Sequence, residues 1–246
     1  MKLEKIIAVR TAKTVYVDGD TAIKVFDESY PKANVLNEAL NHARVEETEL
    51  NVPKILSVSE TDGKWAIAME NVKGKLLSEY MAEDFDKYLD MFVELQIAVH
   101  GEKCALLPSH KEKMTRKIAE ADLSATEKYD LHTHLEAMPK HKKLLHGDFN
   151  PSNIIVTEDG KAFIIDWAHA TQGNASADVA RTYLLFWLDG NIDGAEKYLE
   201  KFCEKTDTAK QYVQKWLPIV AASQMVKGKP EQKEFLKSWI GVVDYQ

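Results

Sequence analysis

The sequence predicts an α+β chain in two lobes, a small N-terminal antiparallel β lobe with one helix and a larger, mainly helical C-terminal lobe. Three observations carry that expectation. Up to about residue 70, short alternating segments are broken by Asp-Gly turns. After Gly74 an apolar periodicity of 3.6 residues takes over. One β-like island, 154–165, interrupts the helices. A chain of 246 residues is long enough for one large domain or two small lobes.

In order along the chain, a strand is expected at 5–9, then a hairpin of 13–17 and 21–26 around Asp18-Gly19-Asp20, where Asp-Gly suits a tight turn with positive φ. Val35, Leu36, Ala39, Leu40 and Ala43 recur at helical spacing, and Pro53 marks the exit into a second hairpin, 55–59 and 64–69, around Thr61-Asp62-Gly63. The larger lobe opens with a helix at 84–100, whose Phe85, Tyr88, Leu89, Phe92, Val93, Gln96 and Ile97 share a broad face, closing at Gly101. Helices at 111–121 and 131–138 follow. The island comprises strands 154–156 and 162–165 about Glu158-Asp159-Gly160, and helices resume from Asp178.

Composition narrows the function classes. No apolar run approaches the roughly 18–20 residues of a membrane-spanning helix, and Met1-Lys2-Leu3-Glu4-Lys5 begins no secretory signal, so no membrane partner is expected. Cys104 and Cys203 are too few for a disulfide framework or a four-cysteine zinc site, which points to a reducing cytoplasm. The net charge of −7, with 28 of 32 basic residues lysine, argues against a nucleic-acid partner and is compatible with a cationic one.

Chemistry concentrates in the stretch from His146-Gly147-Asp148 to Asn153, followed across the hairpin by Asp166. With Asp159-Gly160 as the turn, Val156 is expected opposite Lys161 and Asn153 near Ile164. Asn153 and Asp166 would then leave the hairpin at one open end. An amide oxygen and a carboxylate there form a hard-oxygen pair suited to Mg²⁺. Asp148 adds a carboxylate able to accept a proton, which phosphoryl transfer to a hydroxyl requires.

His146-Gly147-Asp148 with Asn153, then Ile165-Asp166-Trp167, resembles the catalytic loop and metal-binding segment of aminoglycoside phosphotransferases and related choline kinase-like small-molecule kinases, which have the protein-kinase-like fold. Ala22-Ile23-Lys24 resembles that fold's third-strand lysine, Glu38 its ion-pair partner, and Met69-Glu70-Asn71-Val72-Lys73-Gly74 its hinge. Asp178 matches the family's largely structural acidic residue after the metal segment. The resemblance spans about residues 7–183 and implies roles. Lys24, held by Glu38, would bind the phosphates of ATP, or of GTP in its place. Backbone at Glu70 and Val72 would meet the adenine edge. Asp148 would be the catalytic residue, Asn153 and Asp166 the Mg²⁺ ligands, and His146 a brace for the loop. The loop Val9-Arg10-Thr11-Ala12-Lys13-Thr14-Val15-Tyr16 lacks the glycine common in the family, leaving Lys13 and Thr14 to supply side-chain contacts. Residues 1–72 would form the nucleotide-binding lobe and 73–246 the catalytic and acceptor-binding lobe, with the hinge at 69–74.

Other readings stand beside this one. Asp130-Leu131-His132-Thr133-His134 has the Asp-x-His-x-His pattern of metal-dependent hydrolases, but its flanks favour a helix, which turns the two histidines roughly 200° apart. Trp187, Trp216 and Trp239, with Tyr183 and Phe186, read as helix-packing core. Asp178 follows Asp166 by only 12 positions, too few for the long activation segment of a protein kinase. A nucleotide-binding pseudokinase or sensor is the third class. For the acceptor, the acidic balance suits a small, amine-bearing molecule, although the insert before the catalytic loop mixes both charges.

Overall fold

The computed structural model describes residues 5–10 and 12–241; residues 1–4, 242–246 and Thr11 lie outside the described set. In chain order, β1 (Lys5–Arg10), β2 (Lys13–Asp18), β3 (Thr21–Phe26), α1 (Lys32–Val45), β4 (Ile55–Thr61), β5 (Lys64–Glu70), β6 (Lys75–Leu76) and α2 (Leu77–Glu83) come first. Next are α3 (Phe85–Gly101), α4 (His110–Glu120), α5 (Ala125–Ala137), β7 (Lys143–Leu145), β8 (Ile154–Val156), β9 (Ala162–Ile164) and β10 (Thr171–Gly173). The chain closes with α6 (Ala175–Leu188), α7 (Ile192–Thr206), α8 (Lys210–Gln214), α9 (Leu217–Met225) and α10 (Lys233–Ile240). By packing it divides into two compact units, Met1–Asp84 with Pro151–Ala170, and Phe85–Asn150 with Thr171–Gln246. The expected division at residue 72 follows chain order alone and leaves the β8–β9 hairpin with the helices.

The first unit is built on an antiparallel sheet of order β1-β2-β3-β5-β4. Both predicted hairpins form. Gly19, at φ 58°, takes the first central position of the β2–β3 turn, while Asp62 and Gly63 both have positive φ in the β4–β5 turn. One sheet face packs Phe26 and Ile67 against Val35 and Ala39 of α1, and the other carries Ile23, Ala66 and Ala68. The buried stripe of α1 is Val35, Glu38, Ala39, His42 and Val45. Two of the residues that set the helical period, Leu36 and Leu40, are instead exposed. The helix turns its polar Glu38 and His42 inward because each has a partner there: Lys24 for Glu38, and the Pro53 carbonyl, 2.6 Å away, for the His42 imidazole.

A second small sheet, β6-β8-β9, belongs to the same unit. Its hairpin pairs Ile154 with Ile164 and Val156 with Ala162, one residue out of the expected register. The loop is longer than a two-residue turn: the Thr157 amide donates to the Lys161 carbonyl at 3.0 Å, and Gly160 supplies the positive φ of 81°. Gly74 lies so close to β8 that an added Cβ would sit 2.3 Å from the Val156 carbonyl oxygen.

The second unit is helical around the two-stranded ribbon β7–β10. Phe92, Phe149, Phe186 and Tyr198 pack with ring centroids 4.9–5.9 Å apart. Lysines of α7 (Lys197, Lys201, Lys205) meet acids of α3 (Asp86, Asp90, Glu94) along one face of the pair. Helix α5 begins at Ala125, six residues before the expected start, because Ser124 and Glu127 form a reciprocal cap. It carries His132 and His134 as helical residues, and His134 Nε2 donates to the Lys215 carbonyl at 2.6 Å. Likewise Asn174 caps α6 and starts it at Ala175, ahead of the expected Asp178. Strands β6, β7 and β10 and helix α2 were not anticipated; the strands are only two or three residues long, too short to show a period. Half-buried Trp187, Phe235 and Trp239 pack together with buried Tyr183. Among the described residues, no helix is long and apolar enough to cross a membrane.

Candidate active site

In the first unit Lys24, on β3, points to the α1 face of the sheet and is 8% exposed. Its ammonium is ion-paired with Glu38 and lies 3.2 Å from Asp166 Oδ1. Burial alone would depress the lysine, but the charges of Asp166 and Glu38 outweigh it and hold the ammonium above the ordinary lysine range. Lys13 joins the same group, 3.4 Å from Asp166 and 3.5 Å from Glu38. Register explains its approach: Lys13 pairs with Phe26 and Val15 with Lys24, so Lys13 and Lys24 share a face. Thr14, opposite Val25, lies on the other face. Glu38 Oε2 is buried with no hydrogen-bond partner among the described residues.

Asp166 is held by what surrounds it. Its backbone is left-handed, with φ 64° and ψ 59°, a conformation costly for a non-glycine residue. Fully buried Trp167 donates its indole N–H to the Ile164 carbonyl at 3.0 Å. The Asn41 amide reaches the Ala168 carbonyl at 3.4 Å, and the Ile164 amide donates to the Asn51 carbonyl at 3.0 Å. These contacts tie the segment after β9 to α1 and its exit. The Ile165 amide donates to the Asn153 carbonyl at 2.9 Å, so the observed register sets Asn153 opposite Ile165, next to Asp166. An amide oxygen and a carboxylate fit Mg²⁺, which takes few protein ligands and completes its shell with phosphate and water oxygens. Among the described residues no group of three or more His, Cys, Asp or Glu side chains could hold a metal.

The expected hinge residues follow β5. The Glu70 amide donates to the Lys54 carbonyl at 2.9 Å, while its carboxylate accepts from the Lys54 amide at 3.1 Å. The Asn71 side chain and backbone are fastened to Gly19 and Asp20. Val72 lies beyond, half-buried.

In the second unit the His146-Gly147-Asp148 loop is built around Asp178. That buried carboxylate accepts from the His146 amide at 3.1 Å, the Gly147 amide at 2.7 Å and His100 Nε2 at 3.2 Å. Burial pushes its pKa up, but the hydrogen bond and charge of His100, with His146 and the Gly147 amide, prevail and hold it down to about 2. Gly147 takes φ 78°, open to glycine at little cost. The buried His146 accepts the Asp148 amide on Nδ1 at 3.2 Å. Thr182 Oγ1 donates to the Phe149 carbonyl at 2.8 Å and receives the Gln96 amide at 3.2 Å, and Gln96 in turn accepts from Tyr198. A buried polar chain thus connects α7, α3 and α6 to the loop.

One neighbour of Asp148 was missed by sequence reasoning. Arg181 Nη2 lies 3.4 Å from Asp148 Oδ1, while Nη1 donates to Gln224 Oε1 at 2.6 Å. The signal was available: Arg181 is one helical turn beyond Asp178, so the two point the same way from α6.

Known structures share this architecture. Aminoglycoside phosphotransferase APH(4)-Ia matches with a TM-score of 0.71 at 14% identity, over 96% of this chain and 89% of that one. A thermostable mutant of it forms a ternary complex with AMP-PNP and hygromycin B. Choline kinase LicA from Streptococcus pneumoniae matches with a TM-score of 0.65 at 12% identity, over 96% of this chain and 94% of that one. At such identities the likeness is one of fold, here the protein-kinase-like α+β fold. No curated protein matches the sequence. The sequence profile of the phosphotransferase enzyme family does match, over residues 7–212, and that span takes in both the Lys24 group and the His146–Asp148 loop: the chain belongs to this family.

Proposed function

We propose that the protein is a Mg²⁺-dependent kinase that transfers the γ-phosphoryl group of ATP to a hydroxyl of a small molecule. The observation that carries this reading is the buried Lys24 ammonium, shared between Glu38 and Asp166. A lysine with no role is seldom buried between two carboxylates.

In this reading residues 1–72 hold the nucleotide. Lys24 binds its phosphates, with Lys13 and Thr14 nearby in sequence, and the hinge backbone at Glu70 and Val72 meets the base, adenine in ATP or guanine should GTP serve. Residues 73–246 supply the catalytic loop, the metal ligands and the acceptor site. Asn153 and Asp166 hold Mg²⁺, which neutralises charge on the phosphates when bound. Asp148 accepts the acceptor's hydroxyl proton and passes it to solvent. The acceptor oxygen bonds to the γ-phosphorus, the bond from that phosphorus to the β,γ-bridging oxygen breaks, and ADP leaves. His146 and Asp178 keep the loop in position. The reading places the reaction in the cytoplasm, where ATP is supplied and the free thiols Cys104 and Cys203 stay reduced.

The test is ATP consumption, with and without Mg²⁺, over aminoglycosides, choline-like amines, sugars, nucleosides and hydroxy acids. Mg²⁺-dependent ADP formation with at least one small hydroxyl compound is expected. Phosphorylation of generic protein without small-molecule turnover, or nucleotide binding without any transfer, would overturn the reading.

A further inference from the structure

Within the helical unit, a cavity of about 400 Å³ opens between α4, the end of α5 and strand β10, a size at which small-molecule sites are found. Neither Asp148 nor Arg181 lines it. Two side chains fix its walls. Gln172 Nε2 donates to the Ala105 and Leu107 carbonyls at 2.9 and 2.7 Å, which ties the segment before α4 to β10. Asn174 Nδ2 donates to the Pro139 carbonyl at 3.2 Å and to the Tyr212 hydroxyl at 2.6 Å, which holds the segment after α5. Leu135, Met138 and Trp216 give the cavity an apolar side.

His110, the first residue of α4, lines this cavity and is 7% exposed. It fits there because Gly173 has no side chain: an added Cβ would sit 2.6 Å from the His110 Cβ. The other buried histidines each have a hydrogen-bond partner: His42 the Pro53 carbonyl, His100 the Asp178 carboxylate and His146 the Asp148 amide. His110 has none among the described residues. Its ring packs edge-on against Trp216, with centroids 5.9 Å apart, and the indole N–H of Trp216 is itself buried without a partner. Buried polar groups are normally hydrogen-bonded, so the cavity is where the partner of His110 belongs. Burial, reinforced by Lys113 and opposed by Asp178, holds the imidazole down to about 4. At neutral pH one ring nitrogen is therefore a donor and the other an acceptor.

The rest of the lining gives the sign of that partner. Lys111, Lys140, His141 and Lys142 border the cavity, and no carboxylate does. Glu136, just outside the lining, is paired with Lys111 at 2.6 Å, and Lys140 lies within its electrostatic reach. A lining with basic side chains and no acid favours an anionic oxygen group over an ammonium.

We propose that this cavity binds a small organic anion, with its apolar body against Leu135, Met138 and Trp216 and its anionic oxygen group on His110, Lys140 and Lys142 standing at the rim. The site is separate from the one assigned to phosphoryl transfer, and the proposal stands without the kinase reading.

The test is calorimetric titration of the full chain with phenylacetate and phenyl phosphate, beside phenylacetamide as the neutral probe and phenethylamine as the cationic one. At least one anion should bind about tenfold or more tightly than either control, the size of a hydrogen bond to a charged group. Binding of phenylacetate alone assigns a carboxylate ligand, and binding of phenyl phosphate alone a phosphate. His110→Phe keeps an aromatic ring and removes the donor; it should weaken the anion about tenfold, and His110→Asn should recover part of the loss. Lys140→Met/Lys142→Met alters two exposed side chains, leaves the fold intact and should weaken the anion about threefold. In methyl-labelled methionine spectra the Met138 signal, assigned with Met138→Leu, should move as the anion is added. Anion affinity indifferent to both the His110→Phe and the lysine variant, equal affinity for phenylacetamide, or a Met138 signal that stays in place overturns the proposal. So does the absence of heat from either anion up to about 10 mM. Each of these outcomes leaves the kinase reading standing.

Discussion

Lys24 Nζ and Asp166 Oδ1 lie 3.2 Å apart across 142 residues of chain, with Glu38 completing the pair from α1. The first unit therefore closes on a buried charge arrangement, and removing one member leaves the others uncompensated. Lys24→Met should cost about 3 kcal/mol of stability, read as a lower urea midpoint at unchanged slope. Adding Glu38→Gln should recover part of that loss, because the orphaned carboxylate is gone. Both variants should lose nucleotide affinity.

Asp178 predicts the acid limb of stability. Its folded pKa of about 2 lies below the ordinary aspartate value of 3.8, so the folded state favours the ionised form. The contribution is fully present above about pH 4 and is lost as pH falls toward 2. Its size is about 2 kcal/mol, from the shift at 1.36 kcal/mol per unit. Asp178→Asn should be less stable than wild type at pH 7 and should lose less stability between pH 4 and pH 2. Parallel urea titrations across that range give the comparison.

Asp148 and Asp166 should separate by assay. Asp148→Asn should lower kcat by about 10²–10⁴-fold, the range for a positioned acid or base, with Mg-ATP affinity nearly unchanged. Asp166→Asn should weaken nucleotide binding, and only when Mg²⁺ is present. Calorimetric titration of ATP with and without Mg²⁺ distinguishes them; near-normal turnover in Asp148→Asn would sink its assignment.

Gly74→Ala should destabilise the fold by about 1–3 kcal/mol. The new methyl would meet the Val156 carbonyl oxygen at 2.3 Å and its carbon at 2.8 Å, both backbone atoms that cannot swing aside. Gly101→Ala, with nothing within 4 Å of the added carbon, is the control in the same thermal melts.

Local patterns made both N-terminal hairpins readable, since a two-residue turn places Gly19 or Asp62-Gly63 and leaves little choice of strand register. The β8–β9 register escaped by one residue, because Gly160 closes a wider loop through Thr157 and Lys161. The early start of α5 was legible in Ser124 and Glu127, a capping pair that periodicity does not count. Helix α1 misled for a different reason. Apolar spacing includes Leu36 and Leu40, yet the structure buries Glu38 and His42, whose partners lie on β3 and after the helix.

The sequence by itself determined the fold class and the residues with chemistry to offer: Lys24, Glu38, Asp148, Asn153 and Asp166 sit in motifs whose order is a property of the chain. Net charge by itself was compatible with a cationic partner but places no group at any site. A charge of −7 averages over the whole chain, whereas Coulomb interactions fall with distance and with screening. Only the packing of α6 and α9 decided that Arg181 would be held by Gln224 with its other end 3.4 Å from Asp148. Those residues come from segments far apart in sequence, and no local pattern marks them as a set.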